Sequence, residues 1–199
     1  RVARGGRGDR LGGGGMGEVF LANDSHLNRK VALKILSESV SADRERLHRF
    51  EQEAKAASAL NHPNILTIYE FNTDDDVCYL AAEHIEGETL RETLRREKLT
   101  LKETLNVGEQ TAFALSAAHK AGIVHRDIKP ENIMLRRRDS IVKVLDFGLA
   151  KMSEEFLESE TSDPDASTQF LQTEPNVILG TMRYMSPEQA RGLPMDART

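Results

Sequence analysis

The stretch "VHRDIKPENIM", residues 124–134, sets a carboxylate, an ammonium group and an amide close together in the chain, on Asp127, Lys129 and Asn132. A solvated charged turn would account for these residues without any chemistry. Phosphoryl transfer, however, needs all three groups. It uses a carboxylate to accept the proton of an incoming hydroxyl, a cation near the transferring group, and an oxygen ligand for a metal ion. The remainder of the sequence has to decide between these two interpretations.

The composition is that of a soluble globular protein. The chain has 199 residues, of which 39% are hydrophobic and 30% charged, enough to bury a core in one or two units. It contains neither a long apolar run nor a secretory leader, so we expect a cytoplasmic segment without membrane contact. Whether a longer parent protein is membrane-anchored stays open. The single cysteine, Cys78, excludes an internal disulfide and is expected to be a small buried residue.

Charge is distributed unevenly along the chain. The net charge is −5, and residues 152–176 carry seven acidic and no basic side chains. The remainder is therefore close to neutral, which argues against nucleic acid as a partner. We expect the acidic segment to be a solvated loop and residues 1–10, which have few apolar side chains, to be a poorly ordered end.

Hydrophobic periodicity predicts a strand-rich first half. Residues 19–21 and 31–36 are expected to form a hairpin, and residues 65–71 and 77–82 two further strands. Between these pairs, Leu47, Phe50, Ala54 and Ala57 recur at helical spacing. We therefore predict a helix over residues 43–60, ending before Pro63.

The second half is predicted to be mainly helical. The sequence "ETLRETLRRE" indicates a short helix, and a long helix is expected to end near Gly122. Its predicted apolar stripe consists of Leu101, Leu105, Gly108, Ala112 and Leu115. Short strands are expected at residues 133–135 and 142–145. The predicted fold class is α+β.

The segment "LGGGGMGEVF" has glycines at positions 12, 14 and 17, a spacing that lets backbone N–H groups approach a polyphosphate. Alone, this is weak, since a plain glycine-rich turn or a Rossmann oxidoreductase would share the spacing. A Rossmann loop opens into a helix, whereas Gly17 leads into the β-like run of Val19 and Leu21. The loop is therefore expected to cap a hairpin.

Two more candidates for phosphate chemistry lie elsewhere in the chain. Lys34, in "VALK", would ordinarily be a surface residue of a strand, but a strand lysine paired with a helix glutamate can contact phosphates. Glu53 lies on the predicted helix, although its position alone does not distinguish it from its charged neighbours. Asp146, in "VLDFGLA", follows an apolar strand and would supply a second metal ligand.

The motifs "LGGGGMGEVF", "VALK", "HRDIKPEN", "DFG" and "GTMRYMSPE" follow one another in an order that resembles a eukaryotic-type protein kinase domain. The resemblance covers residues 11–199 and is greatest to bacterial serine/threonine kinases. It implies a bilobal fold with an antiparallel sheet and one helix in residues 11–83, a hinge at 84–87, and a mainly helical lobe in 88–199. The activation segment would be residues 146–188. Since the chain stops soon after Glu188, we expect this second lobe to be incomplete and to expose apolar surface.

The resemblance also implies roles for individual residues. Asp127 would be the catalytic base and Lys129 its phosphate-neutralising neighbour, while Lys34 would contact the α- and β-phosphates with Glu53 as its partner on the helix. Asn132 and Asp146 would bind Mg²⁺, with Mn²⁺ as a possible substitute. Ala82 would be the gatekeeper of a roomy adenine pocket. The residues implied to contact ATP are Leu11, Gly12, Gly13, Gly14, Gly15, Met16, Gly17, Glu18, Val19, Ala32, Lys34, Ala82, Glu83, Ile85 and Met134.

The same resemblance indicates substrate class and regulation. Lys129, two residues after the base, together with Thr181, is the pattern of serine/threonine kinases, so protein hydroxyls, including the chain's own, are the expected substrates. Arg126 marks kinases whose activation segment is ordered by a phosphate. The candidate phosphosites are Ser167, Thr168 and Thr173, while Thr181 is expected to be structural. A homodimer that phosphorylates itself in trans would fit.

A pseudokinase, or a nucleotide-binding scaffold without turnover, is the alternative from another functional class. Such a module would lack at least one key residue of the reaction. Lys34, Glu53, Asp127, Asn132 and Asp146 are all present. The sequence therefore favours an active kinase.

Overall fold

The computed structural model describes residues 9–14, 17–74, 77–147, 183–191, 193 and 195–198. Five strands lie in the first half: β1 (Arg10–Gly14), β2 (Gly17–Asp24), β3 (Arg29–Leu36), β4 (Ile68–Asp74) and β5 (Val77–Glu83). They form one antiparallel sheet in the order β1-β2-β3-β5-β4. The predicted strand-rich first half of an α+β fold is confirmed.

The predicted hairpin of β2 and β3 is present, and both strands are longer than their apolar runs suggested. β1 was not predicted, because its glycines show no apolar alternation. It forms by pairing with β2, with Gly12 opposite Val19 and Gly14 opposite Gly17. Gly17 has φ 141°, and a Cβ atom there would lie 1.9 Å from the Ile35 carbonyl oxygen. Only glycine permits this close approach of β2 to β3.

One long helix packs against this sheet. Helix α2 (Arg44–Ser58) matches the prediction for residues 43–60, and the short helix α1 (Glu38–Ser41) precedes it. Phe50 and Ala54 are buried on α2, and the Phe50 ring lies 5.5 Å from that of Phe71 on β4. Cys78 is buried in the same apolar cluster, as predicted.

The second half begins with a strand where a helix was predicted. Residues Gly87–Thr89 form β6, which joins β7 (Ile133–Arg136) and β8 (Val142–Val144) in a three-stranded sheet of order β6-β7-β8. The predicted short helix, α3, runs only from Leu90 to Arg96. It begins there because the Thr89 hydroxyl accepts a hydrogen bond from the Glu92 N–H while the Glu92 carboxylate bonds back to Thr89.

Helix α4 (Leu101–Lys120) exists as predicted, but the predicted buried face was wrong. Leu101 and Leu105 are 75% and 64% exposed. The buried positions are instead Thr111, Ala114 and Ala118, about 100° further round the helix at 3.6 residues per turn. The two alanines belong to the core cluster that contains β8, where their small side chains let the helix approach the strand closely. The other predicted stripe residues, Gly108 and Ala112, are also exposed, and Leu115 is partly buried.

The two halves are joined through the segment that precedes β4. This segment was predicted as strand from residue 65, but β4 begins at Ile68. Ile65 instead forms a parallel bridge with Val144 of β8. The Asn64 side chain donates hydrogen bonds to the Val142 carbonyl at 2.9 Å and to the Gln110 side chain of α4 at 2.8 Å. β8 is thereby held against both the first half and α4.

Candidate active site

The loop after α4 is organised around a buried histidine that was not among the predicted site residues. His125 Nε2 lies 2.7 Å from the Leu145 carbonyl oxygen, and its Nδ1 accepts a hydrogen bond from the Asp127 N–H at 3.2 Å. With one ring nitrogen accepting and the other donating, the imidazole is neutral. Burial lowers the pKa of His125, and the bond to the Leu145 carbonyl opposes part of that effect. The sequence alone does not show whether a histidine at this position organises the loop or has a different role.

Asp127, Lys129 and Asn132 converge, as their spacing predicted. Lys129 Nζ lies 2.6 Å from Asp127 Oδ2. Asn132 Nδ2 donates to the Asp127 carbonyl oxygen at 2.8 Å and to Oδ2 at 3.0 Å. A 3₁₀ turn (Pro130–Asn132) brings the amide back toward the carboxylate, with Pro130 at its start. Because the amide nitrogen faces Asp127, the amide oxygen is the Asn132 atom that could bind a cation.

Asp146 follows β8 and faces the first half of the chain. Its carboxylate oxygens lie 3.1 and 3.2 Å from Lys34 Nζ on β3. Its backbone φ of 51° is left-handed, a conformation that aspartate adopts more readily than most residues. The Leu145 N–H, one residue earlier, donates to the Asn132 carbonyl oxygen at 2.9 Å. The two predicted metal ligands are thus linked through one backbone hydrogen bond.

The predicted pairing of Lys34 with Glu53 is not among the contacts of the described residues. Lys34 is paired with Asp146 instead. Glu53 lies half-buried on α2, the helix on which it was expected. The sequence could place each residue on its element, but it gave no sign that Asp146 contacts Lys34.

The glycines of the β1–β2 hairpin differ in how much space surrounds them. Among the described residues, no atom lies within 4 Å of a Cβ built on Gly12 or Gly14. Packing within this part of the protein therefore does not require glycine at these positions, and the space fits a ligand that approaches the backbone. Gly13 has the Arg10 side chain 3.0 Å from such a Cβ. Glu18, on β2, pairs with Arg10 at 3.1 Å, and Leu11 is exposed. The predicted residues Gly15 and Met16 lie outside the described residues.

The residues predicted to surround adenine lie on strands β2, β3, β5 and β7, except Ile85, which lies in the connection between β5 and β6. Ala32 on β3 and Ala82 on β5 are direct cross-strand partners. Ala82 and Ile85 are buried, Val19 on β2 is half-buried, and Met134 lies on β7 opposite Lys143. Glu83 ends β5, immediately before the link into β6. These positions are those of the residues in the fold, and their contacts with a nucleotide stay predictions.

Arg126 links the loop to residues 183–191. Its φ is 67°, and its carbonyl oxygen accepts a hydrogen bond from the Gln189 side chain on helix α5 (Pro187–Ala190). Its buried Nε has no hydrogen-bond partner among the described residues. The predicted phosphosites Ser167, Thr168 and Thr173, as well as Thr181, lie outside those residues.

Arg91 on α3 makes a second link that sequence reasoning missed. Its Nε lies 2.7 Å from a Glu131 carboxylate oxygen, and its Nη2 donates to the Tyr184 hydroxyl at 3.0 Å. Burial is the largest single influence on the pKa of Glu131 and raises it, but the hydrogen bond from Arg91, a backbone hydrogen bond and the charges of Arg91 and Lys129 together lower it overall. Arg91 therefore joins α3, the Asp127 loop and residues 183–191. Arg91 is one of three arginines in a charged helix, and no sequence pattern singles it out for this contact.

The donor set suits Mg²⁺ delivered with a nucleotide. Over the part of the chain that the structure describes, no group of three or more His, Cys, Asp or Glu residues could hold a metal ion by itself. Mg²⁺ is commonly bound by one or two carboxylates together with substrate phosphates. Asp146 and the amide oxygen of Asn132 fit that partial role.

Within the same described residues, no helix is long and apolar enough to cross a membrane.

The family model described as "Protein kinase domain" matches residues 6–198 of the chain. The chain belongs to this family. The kinase domain is 45% identical to the serine/threonine-protein kinase PrkC of Bacillus subtilis over 183 residues, covering 92% of this chain and 26% of that protein. It is 42% identical to the serine/threonine-protein kinase pkn3 of Myxococcus xanthus, covering 95% of this chain and 34% of that protein. The chain thus spans about a quarter to a third of these relatives.

A solved structure extends the comparison to the fold. The kinase domain of Mycobacterium tuberculosis PknI matches with a TM-score of 0.70 and 27% identity. The match covers 99% of this chain and 68% of that one. The kinase-like α+β fold, with an antiparallel sheet in the first lobe, is therefore confirmed.

Proposed function

We propose that this kinase domain transfers the γ-phosphoryl group of ATP to serine and threonine hydroxyls of proteins. The observation that carries the proposal is the convergence of Lys129 and Asn132 on the Asp127 carboxylate, combined with Asp146 at the end of β8. These groups are the ones that in-line phosphoryl transfer uses for positioning and charge stabilisation. The bacterial relatives, which are named serine/threonine-protein kinases, support the substrate class.

In the proposed reaction, the Asp127 carboxylate orients the substrate hydroxyl and takes up its proton. The hydroxyl oxygen forms a bond to the γ-phosphorus while the bond from that phosphorus to the β,γ-bridging oxygen breaks, and ADP leaves. Lys129, already 2.6 Å from Asp127, is placed to neutralise negative charge on the transferring group. The hydrogen bond from Asn132 to Oδ2 holds the carboxylate in one orientation, and the bond to the Asp127 carbonyl oxygen fixes the backbone beside it.

Asp146 and Asn132 would hold Mg²⁺, or Mn²⁺ in its place, together with the nucleotide phosphates. The ion would supply positive charge to the β- and γ-phosphate oxygens. The Leu145 N–H bond to the Asn132 carbonyl supports this assignment, because it fixes the spacing of the two ligand-bearing segments. Lys34 would exchange its contact with Asp146 for the α- and β-phosphates and for Glu53 when nucleotide binds.

Adenine is proposed to lie between Val19, Ala32 and Met134, and to bond with backbone groups of Glu83 and Ile85. The small, buried Ala82 supports a roomy pocket behind it. The open space beside Gly12 and Gly14 supports phosphate binding under the β1–β2 hairpin. With these assignments, residues 11–83 would be the first lobe, 84–87 the hinge and 88–199 the partial second lobe.

Regulation by phosphate belongs to the same proposal. Arg126 has a buried Nε without a partner among the described residues, which supports pairing with an anionic group. A phosphate on Ser167, Thr168 or Thr173 would provide that group, and a homodimer would allow its transfer in trans. A cytoplasmic location, where ATP is available, fits this proposal.

The test is phosphate incorporation by the full-length gene product incubated with Mg-ATP, measured by intact mass and by transfer to a generic protein substrate. Asp127→Asn should lower transfer by about two to three orders of magnitude, because it removes the proton acceptor. Asp139→Asn is the matched control, since Asp139 pairs with Arg136 at the exposed β7–β8 turn. Nucleotide binding without any transfer by the unsubstituted protein would refute the proposal and identify a pseudokinase.

A further inference from the structure

A buried ion pair connects the end of β5 with β8. Lys143 is 6% exposed, and its Nζ lies 2.6 Å from Glu83 Oε1. The same ammonium group donates to the Ile65 carbonyl oxygen at 3.2 Å. Glu83 Oε1 also accepts a hydrogen bond from the Thr67 N–H at 2.8 Å. Glu83 Oε1 therefore connects Lys143 of the second half with both the end of β5 and Thr67 of the first half.

These contacts lie between the two ends of the proposed nucleotide site. Glu83 belongs to the segment whose backbone is proposed to bind adenine, and Lys143 lies on β8, three residues before Asp146. The segment that precedes β4 is also bound to β8, because the Leu66 N–H donates to the Val144 carbonyl oxygen at 3.0 Å. A shift of β8 relative to β5 would therefore have to break the Lys143 contacts.

Stability alone gives little reason for a lysine at this position. Its strand neighbours Val142 and Val144 are buried in the apolar core, and an apolar residue could continue that pattern. A buried ion pair is often no more stabilising than well-packed apolar residues of similar volume. A directional contact, however, fixes geometry in a way that apolar packing does not.

We propose that Lys143 and Glu83 form a positioning pair that sets the distance between the adenine end and the phosphate end of the nucleotide site. This inference rests on the proposed function, because it takes Glu83 and Asp146 as the two ends. Adenosine reaches only the adenine end, whereas Mg-bound triphosphate must reach both. Losing the pair should therefore weaken binding of the triphosphate far more than binding of adenosine.

The experiment measures dissociation constants by calorimetry on the full-length gene product, for adenosine and for a non-hydrolysable ATP analogue with Mg²⁺. The variants are Lys143→Met, Glu83→Gln and the double variant, with Lys98→Met in an exposed loop as the control. In Lys143→Met and the double variant, the preference for the triphosphate over adenosine should fall roughly tenfold or more, the effect of a misplacement below about 1 Å. In Lys143→Met, whose substituted residue lies outside the proposed adenine contacts, the adenosine constant should change less than about twofold.

The double variant separates positioning from folding. Lys143→Met leaves a carboxylate partly buried without its cation, which lowers the thermal unfolding midpoint. Adding Glu83→Gln removes that charge, so the midpoint should recover while the preference for the triphosphate stays low. If Lys143→Met does not fold, the preference for the triphosphate is measured in the double variant and in Glu83→Gln instead.

Two results would overturn the positioning role. One is an unchanged preference in a folded double variant, and the other is a preference that recovers together with the unfolding midpoint. Failure of the proposed function would look different, because it would already appear as absent phosphate transfer in the unsubstituted protein.

Discussion

Replacing Asn132 by alanine should destabilise the fold even without nucleotide or metal ion. The side chain is buried and donates to the Asp127 carbonyl at 2.8 Å and to its carboxylate at 3.0 Å. A neutral hydrogen bond contributes about 1 kcal/mol and one to a charged group about 1.5–3 kcal/mol. Asn132→Ala should therefore lower the free energy of unfolding by about 2.5–4 kcal/mol.

The assay is urea unfolding followed by circular dichroism, with EDTA present so that no divalent ion contributes. Asn72→Ala is the matched control, because its amide also donates to a carboxylate, that of Glu70 at 2.8 Å, but on the exposed surface. The control should change the free energy of unfolding by less than about 0.5 kcal/mol. If Asn132→Ala were as mild as the control, the two hydrogen bonds would not hold Asp127 in place, and the account of the site would be wrong.

Three further predictions concern stability. Gly87→Ala would place a Cβ 2.2 Å from the Leu135 carbonyl oxygen, so calorimetry should show a loss of more than about 1 kcal/mol and a weakened β6–β7 pair. Burial lowers the pKa of His125, so the unfolded chain binds its proton more readily and stability should fall as the pH drops below about 6.5. Urea midpoints between about pH 5 and 7.5 should show this slope, and His125→Gln should reduce it; an equal slope in both proteins would contradict it. On α4, Ala114→Leu should cost about 1–3 kcal/mol while Leu105→Gln costs less than about 0.5 in thermal unfolding, and the reverse order would restore the originally predicted face.

Local pattern was enough to predict most elements of the fold. The helical spacing of Phe50 and Ala54 placed α2, and the stop before Pro63 followed from proline chemistry. β1 was missed, because a strand of glycines is stabilised by its partner and not by its own side chains. The buried face of α4 was also misjudged, since Leu101 is larger but Ala114 is the residue that fits against β8.

For the site, spacing predicted what lies within one loop and failed for contacts between distant segments. Asp127, Lys129 and Asn132 are close in sequence, so a short turn had to bring them together. The choice of Asp146 as the partner of Lys34 depends on how two halves of the chain approach each other. Nothing in the local sequence reveals that Glu83 lies against Lys143.

The hydrogen bonds around His125 form a closed ring with a single sense of direction. Asp127 N–H donates to His125, His125 to Leu145, Leu145 to Asn132, and Asn132 back to Asp127. Each dipole in such a cycle polarises the next in the same sense. A second ring proton on His125 would make its Nδ1 a donor facing the Asp127 N–H, which is also a donor, and the cycle would open. The proposed base and the proposed metal-binding amide therefore cannot be displaced independently, and one proton on a residue that takes no part in the reaction can disconnect both.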